Sequence, residues 1–495
     1  MNGDHQQDQT KRLDALFVSE PDRLAQYSFD IAGIYFDWSK THLDAELIAA
    51  GLARAEAMGF AASRDALFAG DIVNPSEGRA ATHVAERGSG APEDVDLAST
   101  RRLRTRAMVD AIEAGGFGPV TAVLHIGIGG SVLGPALLVD ALGRKRAGPE
   151  VRFLSNIDGA AFDAAVAGLD PATTLIVAAS KTFTTAETLA NLEAGLAWLR
   201  GAGVTDPHGR VIAVTAAPQA ALDFGVDESR ILVFGEGVGG RYSLWSAVGV
   251  SAALALGWSA FEELHEGAAE MDRHFRFAEP RANVPLIAAI ADLYYVEQRG
   301  CQTRALFAYD ERLRLLTLYL QQLEMESNGK GVRADGKALD GPSAPVTWGG
   351  TGTDAQHAMF QLLHQGTVLA PVEFVAAVEG DDAQDPEHHR LLLLNAFAQG
   401  AALMAGRPSD DPQHRYPGDR PSTTILIERL DPRSLGALIA FYEHRTFANA
   451  ALIGVNPFDQ FGVELGKDIA RQLADGADQA ELDPSTRALI ERAGI

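Results

Sequence analysis

Five short apolar runs between residues 118 and 235, VTAVLHI, EVRFLSNI, TTLIVAA, RVIAVTA and RILVF, alternate with longer stretches of helical spacing. Each run is continuously apolar and rich in β-branched residues, the pattern of a strand buried on both faces. Alternation of such strands with helices predicts a parallel sheet covered on both sides. A second, weaker series starts near Thr303 with RALFAY and continues through APVTWGG and PVEFVAAVEG, each followed by a long helical stretch. The class predicted is α/β, with two such units. The first hundred residues, the stretch 256–300 and the acidic tail after Lys467 read as mainly helical. Two pieces rich in Gly, Pro, Asp and Arg, 81–97 and 406–422, read as exposed loops.

Charge narrows the ligand classes. The chain has 495 residues and a net charge of −24, which repels nucleic acid and anionic lipid at long range. An anionic ligand must therefore be small and held by local dipoles and a few placed cations. Cys301 is the single cysteine, so an internal disulfide and a Cys-based zinc cluster are excluded. The polar start MNGDHQQDQTKRLDALF lacks a signal layout, and the most apolar stretch, AVLHIGIGGSVLGPALLVDALG, is broken by glycines, a His and a Pro. A cytoplasmic protein without a membrane span is expected.

The run Ser180, Lys181, Thr182, Phe183, Thr184, Thr185 packs four hydroxyls and one ammonium between a predicted strand and a predicted helix. A strand entering a helix there presents unpaired N–H groups and the positive dipole end, which suits a phosphate. A plain helix cap needs only one hydroxyl. HIGIGGSVLGP, residues 125–135, is a second strand-to-helix turn, with Gly127, Gly129 and Gly130 allowing close backbone approach and Ser131 expected at the N-cap. Val132 stands where a dinucleotide fingerprint needs its third glycine, so that reading fails. Arg241 follows Gly239 and Gly240 just beyond a strand, where a planar permanent cation can steady an oxyanion. In QQLEMESNGKG, Glu326 falls in the last turn of a helix that starts after Asp310 and stops at Gly329, a position suited to a general base. Thr353 and Gln356 have capping-box spacing, which puts His357 in a first helical turn, able to share a proton. His364 reads as packing, and His388 and His389 as a solvated helix start without a metal motif.

In this order the pieces resemble the glucose-6-phosphate isomerase, or phosphoglucose isomerase, family. HIGIGGSVLGP, SKTFTTAET, GGRYSLWSAVG, QQLEMESNGKG, GTDAQHAMFQLLHQG, YEHRTF and FDQFGVELGK occur in the family's order, and FDWSK and NPSEGRAATH extend the likeness to nearly the whole chain. The resemblance implies two sugar-isomerase-type α/β/α sandwich domains with parallel-rich sheets, plus helical N-terminal and C-terminal extensions. The corresponding segments are a helical 1–114 packing on the larger domain, a smaller domain 115–255, a larger domain 256–467 and a helical tail 468–495. It implies a reversible aldose–ketose isomerisation of glucose 6-phosphate and fructose 6-phosphate through a cis-enediol, with no cofactor and no metal. Ser131, Ser180, Lys181, Thr182 and Thr185 would surround the phosphate, with Gly130, Gly240, Gln322 and Gln460 as further substrate contacts. Glu326 would be the base, His357 and Lys467 would open the ring, and Arg241 would steady the enediolate. The family's histidine comes from the neighbouring subunit, so a homodimer is implied.

Gly350, Asp354 and Ala355 stand where the family generally shows Glu, Asn and Gly, and Pro457 replaces a common Ser. Altered loop packing or affinity is the expected result. Isomerisation of a different sugar phosphate, and a sensing module with the cup but no chemistry, are the competing readings. The joint presence of Glu326, Arg241, His357 and Lys467 counts against the second.

Overall fold

The computed structural model describes residues 11–145, 148–380, 385–474 and 482–495. Met1–Pro457 form one compact unit and Phe458–Ile495 another. Both sheets lie within the first of these units.

The first strands lie in the segment read as helical. β1 (Ser28–Ile31) and β2 (Ile34–Asp37) form an antiparallel hairpin. Its two-residue turn, Ala32–Gly33, has φ of 54° and 74°, the doubly left-handed geometry that matches the twist of a hairpin. Most of the other described residues of this segment are helical, as expected, and include the 22-residue helix Pro92–Glu113.

The five strands expected between 118 and 235 are all present: β3 (Ala122–Ile126), β4 (Glu150–Leu154), β5 (Thr174–Ala179), β6 (Val211–Thr215) and β7 (Ile231–Val233). They form a wholly parallel sheet in the order β4-β3-β5-β6-β7. Residues of β3 and β5, including Leu124 and Ile176, pack with Leu192, Leu196 and Leu199 of the helix Ala186–Gly201. The chain leaves β3 toward β4 on one side and leaves β5 toward β6 on the other. A crevice is therefore expected outside the carboxyl ends of these two neighbours.

The second sheet contains β8 (Thr303–Tyr309), β9 (Val346–Thr351), β10 (Val372–Ala377) and β11 (Ser422–Ile427), all parallel, in the order β9-β8-β10-β11. The hairpin adds to its edge, with β2 antiparallel to β11. β11 was not foreseen, nor was its pairing with the amino-terminal hairpin.

The piece 81–97 is not the exposed loop expected. Residues 83–87 are buried, because the Arg87 guanidinium forms ion pairs with Asp272, at 2.6 Å, and with Glu443. Glu443 belongs to the helix Pro432–Ile453, whose sequence YEHRTF also places His444 against Asp272 and Arg445 against Asp292 and Glu373. That motif forms a buried charged seam. The helices expected in the tail are Glu464–Ala474 and Pro484–Ala493. No helix among the described residues is long and apolar enough to cross a membrane.

Candidate active site

At the carboxyl end of β3 the chain turns sharply through glycine into the helix Gly130–Leu142. Gly129 has φ of +56° and is itself the N-cap, so Ser131 lies inside the first turn rather than at the cap expected for it. A side chain on Gly129 would meet Gln322 Nε2 at 2.8 Å, and one on Gly130 would meet the Gly240 carbonyl at 2.1 Å. Gly127 is equally confined, with a Cβ position 3.0 Å from both the Ala179 carbonyl oxygen and Ser131 Cβ. Glycine here brings three remote segments together, as close backbone approach requires.

At the end of β5 the run 180–185 forms a tight loop. Its backbone is pinned to β6, with Ser180 N donating to Val214 O and Ala216 N to Lys181 O. Phe183 is buried and adopts φ of +52°, a strained conformation for a bulky residue of the kind that clusters at ligand sites. Thr185 occupies the N-cap position of the helix Ala186–Gly201, yet makes no capping hydrogen bond from its side chain. Its hydroxyl lies 3.0 Å from Ser180 Oγ, and Thr182 Oγ1 lies 2.8 Å from Thr184 Oγ1. The hydroxyls pair with one another, and the helix start lacks the usual side-chain cap.

Lys181 takes a different course. Its ammonium donates to the carbonyls of Glu236 and Val238, at 2.6 and 3.2 Å. Burial, with Arg79 and Arg241 adding to it against Glu77 and Glu236, pushes its pKa down to about 8.

Glu326 closes a π-helical turn, Gln322–Glu326, that continues the helix Leu316–Gln321. Wide turns of this type concentrate at functional sites. The helix runs on to Asn328 and stops at Gly329, as expected. One carboxylate oxygen of Glu326 accepts from Gln322 Nε2 at 2.8 Å and the other from Arg241 Nη1 at 3.0 Å. Arg241 is buried; its Nε donates to Ser327 Oγ at 2.6 Å and its Nη2 to the Pro457 carbonyl. Tyr242 Oη lies 3.0 Å from the same serine oxygen. Glu326 keeps 22% of its side chain exposed against 1% for Arg241, so the carboxylate is oriented yet reachable. Ser327, Tyr242 and the Pro457 carbonyl were not singled out from the sequence. The signal available was the Ser of MESNGK.

The structure thus assembles Gly129, Gly130, Gly240, Arg241, Gln322 and Glu326, and sets Ser131 and the 180–185 loop beside them. It does not bring His357 to them. The helix Gly352–Gln365 has Thr351 at its N-cap, so the Thr353–Gln356 box does not form and His357 lies in the second turn, exposed. Gln356 instead accepts from Tyr309 Oη at 2.5 Å. His364 bonds to Gln399, at 2.9 Å, as a packing histidine would. Gln460 and Lys467 belong to the second unit, Lys467 exposed on the helix Glu464–Ala474 and Gln460 just before a 3₁₀ turn.

Residues 37–490 match the family pattern of phosphoglucose isomerase. A glucose-6-phosphate isomerase of Rhizorhabdus wittichii is 66% identical over 482 residues, covering 97% of this chain and 96% of that one. The corresponding protein of Zymomonas mobilis is 56% identical over 483 residues, with 98% and 95% covered. Among solved structures, a glucose-6-phosphate isomerase from Chlamydia trachomatis superposes with a TM-score of 0.89 at 30% identity, covering 98% of this chain and 96% of that one. A match this long and this similar, on top of the geometry above, makes the chain a member of the phosphoglucose isomerase family.

Proposed function

We propose that this chain reversibly interconverts glucose 6-phosphate and fructose 6-phosphate, as an intramolecular oxidoreductase of glycolysis and gluconeogenesis. The observation that carries the mechanism is the Glu326 carboxylate, held at both oxygens by Gln322 and Arg241 and still partly open to solvent. Ser131, Ser180, Thr182 and Thr185, with the N–H groups at the start of the helix Ala186–Gly201, tether the substrate phosphate. Gly130, Gly240 and Gln322 line the sugar. Holding the charged end leaves C1 and C2 as the atoms presented to the base, so binding energy is spent on orientation.

After ring opening, Glu326 removes the proton from C2 and returns it at C1. The electron pair released at C2 forms the C1–C2 double bond of the enediol, and the C1 carbonyl oxygen gains a proton matched by the one that the C2 hydroxyl gives up. Collapse of the enediol leaves the carbonyl at C2, so the reaction is balanced without an external oxidant. Arg241 stands 3.0 Å from Glu326, where a fixed cation opposes the charge on the enediolate oxygen. Lys467, Gln460 and His357 serve ring opening and sugar contact. His357 is exposed on its helix, which accords with its completing the site of a second copy in a cytoplasmic homodimer.

The test is Glu326→Gln, which preserves shape and removes the base. Turnover of fructose 6-phosphate is expected to fall by roughly a hundred- to ten-thousandfold, with C2 proton exchange lost and sugar-phosphate binding retained. Wild-type turnover in that variant would refute the assignment. Mannose 6-phosphate and amino-sugar phosphates in the same assay define the substrate range.

A further inference from the structure

We propose that Lys181 is a positioning residue whose side chain straps the phosphate cup to the loop carrying Arg241, rather than an anchor for the phosphate itself. This rests on the isomerase reading above and adds a coupling between its two halves.

Both ends of the strap are fixed. At the cup end the Lys181 carbonyl accepts from Ala216 N at 2.9 Å and from Thr215 Oγ1 at 3.1 Å, which ties its backbone to the end of β6. At the other end the ammonium grips Glu236 O and Val238 O. Those two carbonyls lie in the turn that leads directly into Gly239, Gly240 and Arg241. Thr82 N holds the same turn at Gly237 O, at 3.0 Å, and Val238 N closes it on Gly235 O. Two of the three ammonium protons are therefore committed to backbone oxygens. A group so engaged serves a bound anion less well than the neighbouring hydroxyls do.

The consequence is geometric. Lys181 follows Ser180 and precedes Thr182 in the cup, and its Nζ sets the turn that delivers Arg241 to Glu326. Ordering of the cup by an anion is thereby transmitted to the arginine. Charged bonds to backbone carbonyls are the strong kind, and the charged groups acting on Lys181 are Arg79, Glu77, Glu236 and Arg241.

The experiment compares Lys181→Met and Lys181→Arg with the wild-type enzyme, by steady-state kinetics on fructose 6-phosphate and by titration with inorganic phosphate. For Lys181→Met, kcat is expected to drop about tenfold or more, because a small misplacement of a catalytic group is costly. Phosphate affinity is expected to stay within about threefold, the scale of a partly screened charge. Lys181→Arg, which keeps charged donors, restores most of the kcat, a rescue that a folding defect in Lys181→Met alone would not predict. In an Arg241→Lys background, Lys181→Met is expected to lower kcat by a smaller factor than in the wild type. A tenfold loss of phosphate affinity, or an unchanged kcat, overturns the strap. Absence of turnover in the wild-type protein overturns the isomerase reading instead.

Discussion

Four parallel strands of each sheet, β4-β3-β5-β6 and β9-β8-β10-β11, share an order, and the sheets differ in what stands at the point where that order reverses. In the first, β3 and β5 end in three confined glycines and two hydroxyl pairs before a helix without a side-chain cap. In the second, β8 and β10 occupy the equivalent places, and the described residues beyond them carry charged side chains that pair with one another. Asp310 pairs with Arg312 at 2.6 Å, Arg312 also donates to the Glu379 carbonyl, and the Glu379 carboxylate takes Arg429 at 2.6 Å. Topology supplies a crevice in both cases. Whether it receives a ligand depends on a handful of side chains, which is why function belongs to the site and not to the fold.

The sharpest way to break this contrast is to fill each sheet's glycine at a helix start. Gly130→Ala drives a methyl into the Gly240 carbonyl and is expected to lower kcat/KM by roughly a hundredfold or more. Gly352→Ala, at the first residue of the helix after β9, meets its nearest atoms at 3.3 Å and is expected to stay within about threefold of wild type. Equal effects in steady-state assays would remove the distinction.

A second pair tests ligand binding against capping. Thr185→Ala is expected to weaken inorganic phosphate binding about tenfold, the loss of one hydrogen bond to a charged group, with little change in melting temperature. Asp385, by contrast, caps the helix Pro386–Ala405 through Glu387 N at 2.9 Å. Asp385→Ala is expected to cost about 1 kcal/mol of stability and leave phosphate affinity alone. Calorimetry and thermal melts read both.

Smaller still is the loss of the Asp310–Arg312 ion pair. Asp310→Asn removes a charge from a pair only 7% and 15% exposed and is expected to cost about 1 kcal/mol, without changing kcat, measured by urea unfolding.

The smallest difference appears with acid. His125, on β3, bonds to Ser251 Oγ and the Ser131 carbonyl, both at 2.8 Å, and burial pushes its pKa down to about 4. Because the folded value lies below the unfolded one, the unfolded chain takes up the proton first as pH falls. Stability is thus lost progressively from about pH 6.5 toward 4, and at pH 6 the loss is just under ~1 kcal/mol. The second sheet has no histidine in its strands. Hydrogen exchange at falling pH should therefore loosen β3 before β10.

Local signals made most of the first sheet legible. Its strands announced themselves as apolar runs, and both turns are built from residues within a few positions of each other. Glu326 at a helix end was readable for the same reason. The failures share a cause in distance along the chain. Arg241 is fixed by Ser327, 86 positions away, and by the Pro457 carbonyl, 216 away, and no local pattern encodes either. The 81–97 segment looked polar and exposed because Arg87 finds its partners 185 and 356 positions on. The amino-terminal hairpin turns on Ala-Gly instead of the usual Asn-Gly. The carbonyl partners of the Lys181 ammonium, 55 and 57 positions away, are equally absent from any local pattern.

The Pro457 carbonyl that seats Arg241 has a consequence for biosynthesis. A ribosome working from the amino terminus emits the glycine turn, the hydroxyl loop and Glu326 long before it emits residue 457. Domains generally fold as they emerge, so the first sheet can form early while its arginine still lacks one of its seats. The guanidinium takes its full set of partners only once a residue 216 positions further on has been made, and a messenger cut short before that point leaves one donor unseated.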